Sequence, residues 1–156
     1  MLVKSRGSRR QIAVVGDSRP DRKTARLAEE VGSTIAHSGA ILVCGGLGGV
    51  MEAAARGARK AGGFTLGILP GSSREEANRY VDCAVATGLG DLRNFLIVRT
   101  ADAVIGLAGR YGTLSEIAMA LTLGKPVIGL GTWEIEGVEK ARDAGEAVRM
   151  ALKKLD

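Results

Sequence analysis

Short apolar runs alternate along this chain with longer stretches of helical periodicity. Residues 11–16 (QIAVVG), 40–45 (AILVCG), 64–70 (FTLGILP), 101–107 (ADAVIGL) and 126–131 (PVIGLG) read as strands buried on both faces. Residues 80–87 (YVDCAVAT) and 137–142 (GVEKAR) are sixth and seventh candidates. Between them, residues 20–38 place Leu27, Ala28, Val31 and Ile35 on one helical face, with Pro20 suited to the first turn and Gly39 to the exit. Further helices are predicted over 50–61, 92–100 and 113–123. A last one opens at Asp143 and Glu146, a D-x-x-E capping box, and runs to about Leu155.

Regular alternation of strand and helix implies right-handed crossovers around a parallel sheet. The expected fold is α/β: a Rossmann-like three-layer sandwich with a sheet of six to seven strands and helices on both faces. Residues 1–156 show no linker, repeat or composition break, which predicts a single ligand-binding domain.

Composition changes this picture little. The apolar fraction is 46%, charged residues make up 25%, and the 23 glycines gather at junctions rather than in a repeat. The net charge of +5 comes partly from Lys4, Arg6, Arg9 and Arg10, read as a flexible basic head over residues 1–10. Aromatic residues are only 3% and no nucleic-acid-binding motif appears, so charge alone does not argue for a nucleic-acid partner. No stretch approaches the ~20 apolar residues of a membrane helix, and the first ten residues lack the apolar core of a secretory signal. Cys44 and Cys83 lack metal or redox spacing and read as buried small hydrophobes of a cytoplasmic protein. His37 falls at a helix end, where it suits a C-terminal cap. No metal site is expected.

In an open α/β sheet, ligands bind at the carboxyl ends of the strands where the strand order reverses. The segments just after the strands therefore carry the candidate chemistry: GDSRP (16–20), CGGLGGVM (44–51), PGSS (70–73), GRYGT (109–113) and GTW (131–133). Gly45, Gly46, Gly48 and Gly49 would expose bare backbone N–H groups above a helix N-terminus, a position that favours an anion. Two glycines would already make a tight turn there. Neither a dinucleotide G-x-G-x-x-G after the first strand nor a Walker lysine is present. In GRYGTLSE, Thr113 and Glu116 have capping-box spacing. Arg110, beside Gly109, adds a charge-assisted donor to the same helix start. The segment is open to both readings, a structural cap and a phosphate cradle.

Taken together, GRYGTLSE, GGLGGVM upstream and LRN at 92–94 resemble the superfamily of Lonely Guy phosphoribohydrolases and molybdenum cofactor carrier proteins. The Lonely Guy pattern P-G-G-x-G-T-x-x-E is matched by Gly109, Tyr111, Gly112, Thr113 and Glu116, with Ala108 for proline and Arg110 for the second glycine. The pattern M-H-x-R-K survives only as Arg93, with Gly90, Asp91 and Asn94 at its other places. Gly16 and Ser18 fit the first loop. The resemblance runs from about residue 11 to 131 and looks closer to the carrier branch.

That resemblance implies two functions. A carrier would bind a phosphorylated, nucleotide-like molecule, the molybdenum cofactor, through Gly16, Ser18, Gly45, Gly46, Gly48, Gly49, Asn94, Gly109, Arg110, Gly112 and Thr113, and needs no cofactor of its own. An enzyme of the Lonely Guy type would hydrolyse the N-glycosidic bond of a nucleoside 5′-monophosphate, with Glu116 stabilising an oxocarbenium-like state and Arg93 orienting it. The loss of the histidine motif and the gain of Arg110 favour binding. The lysine decarboxylase label carried by some relatives finds no support, because Lys125 reads as a helix-terminal cation before Pro126. Leu92, Phe95, Leu96, Ile97 and Val98 are too broad an apolar set for one stripe, which predicts a homo-oligomer, dimer or tetramer.

Overall fold

The computed structural model describes residues 8–156. Its elements run β1 (Gln11–Val15), α1 (Arg22–His37), β2 (Ile41–Cys44), α2 (Val50–Lys60), β3 (Phe64–Leu69), β4 (Cys83–Ala86), α3 (Arg93–Thr100), β5 (Ala103–Gly106), α4 (Tyr111–Thr122), β6 (Val127–Gly129), β7 (Val138–Lys140) and α5 (Ala144–Lys153). The seven strands form one sheet in the order β4-β3-β2-β1-β5-β6-β7, parallel at every pairing. The expected three-layer α/β fold is present, with both additional strand candidates at the sheet edges.

The strands in the middle are apolar on both sides because both faces are covered. Ile12, Val14, Leu42 and Ile105 point to a core shared with α1, α2 and α5. Ala13, Val15, Val43 and Val104 point to the other core, shared with α3 and α4. Glycines let α1 and α2 come close: a Cβ on Gly32 would overlap the Ala54 carbonyl oxygen, and one on Gly57 that of Glu29. Side-chain caps begin α1 and α5, where Asp21 accepts from the Thr24 N–H at 2.7 Å and Asp143 from the Glu146 N–H at 2.8 Å. Among the described residues no helix is long and apolar enough to cross a membrane.

Several local expectations are corrected. α4 begins at Tyr111, two residues before the predicted start, so Thr113 lies inside the helix and forms no capping box with Glu116. Cys44 is buried as expected, whereas Cys83 is exposed on edge strand β4. Lys125 is a helix-terminal cation, but for the neighbouring helix: its ammonium donates to the carbonyls of Arg99 (3.3 Å) and Ala101 (2.6 Å) at the end of α3. In the basic head, Arg9 donates to the Gly39 carbonyl at 2.9 Å and Arg10 to that of Leu155 at 2.7 Å, so neither is loose. Lys4 and Arg6 lie outside the described residues.

Candidate functional site

The strand order reverses between β1 and β5, where connections leave to opposite sides and a crevice opens at the carboxyl edge. Main-chain bonds lock three junctions around it. The Asp17 N–H donates to the Ala108 carbonyl, the Leu107 N–H to that of Val15 and the Val50 N–H to that of Asp17, each at 2.9 Å. Gly49 closes the arrangement in the left-handed region (φ 73°), where a Cβ would press on the Asp17 carbonyl oxygen.

A cavity of about 240 Å³ lies in this crevice, lined by Val14, Val15, Gly16, Asp17, Ser18, Gly45, Met51, Asp91, Arg93, Asn94, Arg110, Gly112, Thr113 and Glu116. The start of α4 opens onto it. Arg110 occupies the N-cap in extended conformation without a side-chain cap bond. The first intrahelical bond runs from the Leu114 N–H to the Arg110 carbonyl at 2.9 Å, which leaves the N–H groups of Tyr111, Gly112 and Thr113 ahead of the ladder. Gly112 has no heavy atom near the place a Cβ would take, so the backbone there is bare. Gly109 is small for a different reason: a Cβ would collide with the Thr113 hydroxyl.

Glu116 follows Thr113 by one turn and is 6% exposed. Burial raises its carboxyl to a pKa of about 7, with nearby Arg93 holding it lower than burial alone would. Arg93 is itself buried at 8% exposure. One guanidinium nitrogen donates to the Asn94 side-chain oxygen. The other reaches the Gly45 carbonyl at 3.4 Å and lies 4.0 Å from the Met51 sulfur. Its Nε has no hydrogen-bond partner among the described residues. Burial lowers the Arg93 pKa, opposed by Glu116, Cys44 and Asp91. Gly45 makes room for this packing, since a Cβ would crowd both the guanidinium and the Met51 sulfur.

The mouth carries a second cation. Arg110 is 82% exposed in its side chain, and its Nε stands 3.7 Å from an Asp17 carboxylate oxygen. The other Asp17 oxygen accepts from the Arg19 N–H at 2.9 Å.

The structure thus brings Gly16, Ser18, Gly45, Arg93, Asn94, Arg110, Gly112, Thr113 and Glu116 to one cavity. It leaves Gly46, Gly48, Gly49 and Gly109 off the lining. The cause at Gly46 is Asn78, whose amide donates to the carbonyls of Gly46 (3.3 Å) and Leu47 (2.9 Å), and whose backbone N–H donates to Gly46 at 2.8 Å. The segment between β3 and β4 thus holds the carbonyls of the glycine loop. Asp17 and Met51 lie within segments singled out from the sequence and Asp91 at a motif position, but none of the three was named as a site residue. Asp17 stands two residues after β1, in the segment that carries Gly16 and Ser18. Asp91 and Met51 reach the cavity only through packing.

The SLOG cluster4 family model matches residues 9–154. An uncharacterised protein of Archaeoglobus fulgidus is 44% identical over 143 residues, which cover 91% of this chain and 94% of that protein. The cytokinin riboside 5′-monophosphate phosphoribohydrolase of Mycobacterium tuberculosis is 38% identical over 117 residues, covering 69% of this chain and 62% of that enzyme. Among solved structures, the molybdenum cofactor binding protein from the phototrophic bacterium Rippkaea orientalis superposes with a TM-score of 0.88 at 33% identity, covering 95% of this chain and 98% of that one.

Proposed function

The chain belongs to the SLOG cluster4 family, and from that premise we propose that it binds a phosphorylated, nucleotide-like small molecule as a molybdenum-cofactor-carrier-like protein. The observation that carries this reading is the uncapped start of α4. Three backbone N–H groups at Tyr111, Gly112 and Thr113 lie at the positive end of the helix dipole, and no side chain among the described residues accepts from them. Arg110 stands beside them, exposed and able to fold over a phosphate. Ser18 and Asn94 add neutral polar groups to the lining.

Carriage suits the cavity better than turnover does. A carboxylate that stabilises an oxocarbenium-like centre must be ionised. Burial raises Glu116 to a pKa of about 7, which works against a fully ionised carboxylate at neutral pH. Among the described residues no hydrogen bond orients its carboxyl. The likeness to the molybdenum cofactor binding protein, over nearly the full length of both chains, supports the same reading.

One observation favours a second reading, phosphoribohydrolase activity on nucleoside 5′-monophosphates. The raised pKa that weakens Glu116 as an anion suits it as a general acid. Its proton would pass to the departing base nitrogen as the C–N bond breaks, Arg93 would stabilise the carboxylate left behind, and the water that adds to the sugar carbon would return its second proton to that carboxylate. The similarity to the mycobacterial phosphoribohydrolase agrees with this alternative.

Mass spectrometry of small molecules that copurify under native conditions separates the two. A phosphorylated pterin, together with little or no release of base from common nucleoside monophosphates, is the expected result. A copurified nucleotide with robust base release, abolished in Glu116→Gln, would replace carriage by hydrolysis.

A further inference from the structure

Asp17 is fixed at both ends of its backbone and at one side-chain oxygen. Its N–H donates to the Ala108 carbonyl and its own carbonyl accepts from the Val50 N–H, each at 2.9 Å. One carboxylate oxygen accepts from the Arg19 N–H at 2.9 Å. The other stands 3.7 Å from the Arg110 Nε. The Asp17 side chain is 21% exposed and that of Arg110 82%, so the carboxylate is the fixed partner and the guanidinium the movable one.

Among the described residues, the cavity offers a phosphate no unmatched cation. Asp17, Asp91 and Glu116 line it together with Arg93 and Arg110. Arg93 is buried, bonded to Asn94 and Gly45, and lies in the field of Glu116 and Asp91. Arg110 is matched by Asp17. A dianion at the start of α4 therefore gains Arg110 only as Asp17 gives it up. It then faces a carboxylate that its own bonds keep from turning away.

We propose that Asp17 is an internal competitor of the ligand: its carboxylate and the ligand phosphate take turns on the Arg110 guanidinium, which holds down the affinity for phosphate. This rests on the phosphate reading above and adds the residue that sets how tightly the phosphate is held. A ligand that is carried must also be given up. An exposed ion pair adds little to the stability of a fold, yet a competitor of that strength shifts a ligand's affinity several-fold. The exchange needs only an arginine side chain to turn, with no lid or loop to move.

Calorimetry with ribose 5-phosphate on wild type, Asp17→Asn, Arg110→Ala and the double variant tests the assignment. Asparagine keeps an acceptor for the Arg19 N–H and removes the charge. Asp17→Asn is expected to tighten binding about 3- to 10-fold. In the Arg110→Ala background the same substitution should gain less than about 2-fold, because the guanidinium in contention is gone. Should Asp17→Asn melt below wild type, Asp17→Ser repeats the cycle with a smaller acceptor for the same N–H.

Weaker binding by Asp17→Asn would make Asp17 an acceptor for the ligand, and unchanged binding would make it a structural residue of its loop. Either result overturns the proposal, while a loss of binding in Arg110→Ala keeps the phosphate reading. An equal gain in both backgrounds would reduce Asp17 to a repelling charge with no claim on Arg110, and would overturn it as well. Absence of binding in both wild type and Asp17→Asn would remove the phosphate reading and this inference together.

Discussion

At Glu116 a carboxyl whose ordinary pKa is 4.5 is raised to about 7 by burial in the crevice. The folded state therefore binds more protons than the unfolded state between those values. The resulting stability is fully present below the unfolded pKa and is lost as pH rises through the folded one. Relative to Glu116→Gln, wild type should lose on the order of 3 kcal/mol of stability between about pH 5 and about pH 8. Denaturant titrations of both proteins across that range check this, and parallel curves would show that Glu116 ionises without cost. Arg110 acts in a different regime. It is exposed, and its contact with Asp17 is a long surface pair at 3.7 Å. Arg110→Ala should change stability by less than about 1 kcal/mol. Losing a charge-assisted bond to phosphate should weaken ribose 5-phosphate binding about 10- to 100-fold in calorimetry.

Among the elements, α4 departs furthest from what its sequence suggests. Thr113 and Glu116 look like a capping box, yet the helix starts earlier and leaves its first turn uncapped. A helix that lacks a cap while facing a cavity has its stability and its binding capacity in opposition. Arg110 already has the extended backbone of an N-cap residue (φ −108°, ψ −156°). Arg110→Asp should therefore cap the free N–H groups, raise stability by about 0.5–2 kcal/mol and abolish phosphate binding. A melting temperature that drops, or binding that survives, would count against the role given to these N–H groups. The end of α3 depends on a residue outside the helix, since the Lys125 ammonium holds the Arg99 and Ala101 carbonyls. Lys125→Met keeps the aliphatic stem but removes these bonds. Thermal melts should show a loss of about 0.5–1.5 kcal/mol, with ligand binding unchanged.

For the whole molecule, the residues from β4 to α3 bring Val85, Leu89, Leu92 and Phe95 to the surface, Leu92 being 75% exposed. Ile97 and Val98 of α3 are buried in the core beneath it. That division motivates the prediction of a homo-oligomer, because the outward half of the broad apolar set has no cover among the described residues. Light scattering at micromolar concentration should give at least twice the 16.2 kDa chain mass, and the double substitution Leu92→Glu/Phe95→Glu should return the monomer value. The layers of the fold were legible in the sequence, because runs such as QIAVVG and the spacing of Leu27, Ala28, Val31 and Ile35 encode burial locally. The parallel sheet followed, since each strand was joined to the next through a helix-length segment. So did the cluster of Gly16, Ser18, Gly112 and Thr113 at the carboxyl edge, because a residue's place just after a strand fixes the end of the sheet it occupies. The strand order was decided by tertiary structure, and so were the limits of the cavity. The Arg93 guanidinium reaches Gly45 across 48 residues, and the amide of Asn78 pulls the carbonyls of Gly46 and Leu47 out of the site. The raised pKa of Glu116 belongs with these, because desolvation is a property of everything packed around a side chain and has no local signature. Periodicity and turn chemistry act between neighbours and can be read along the chain. Burial, orphaned donors and displaced loops arise between segments far apart in sequence, and exist only once the sheet has brought them together.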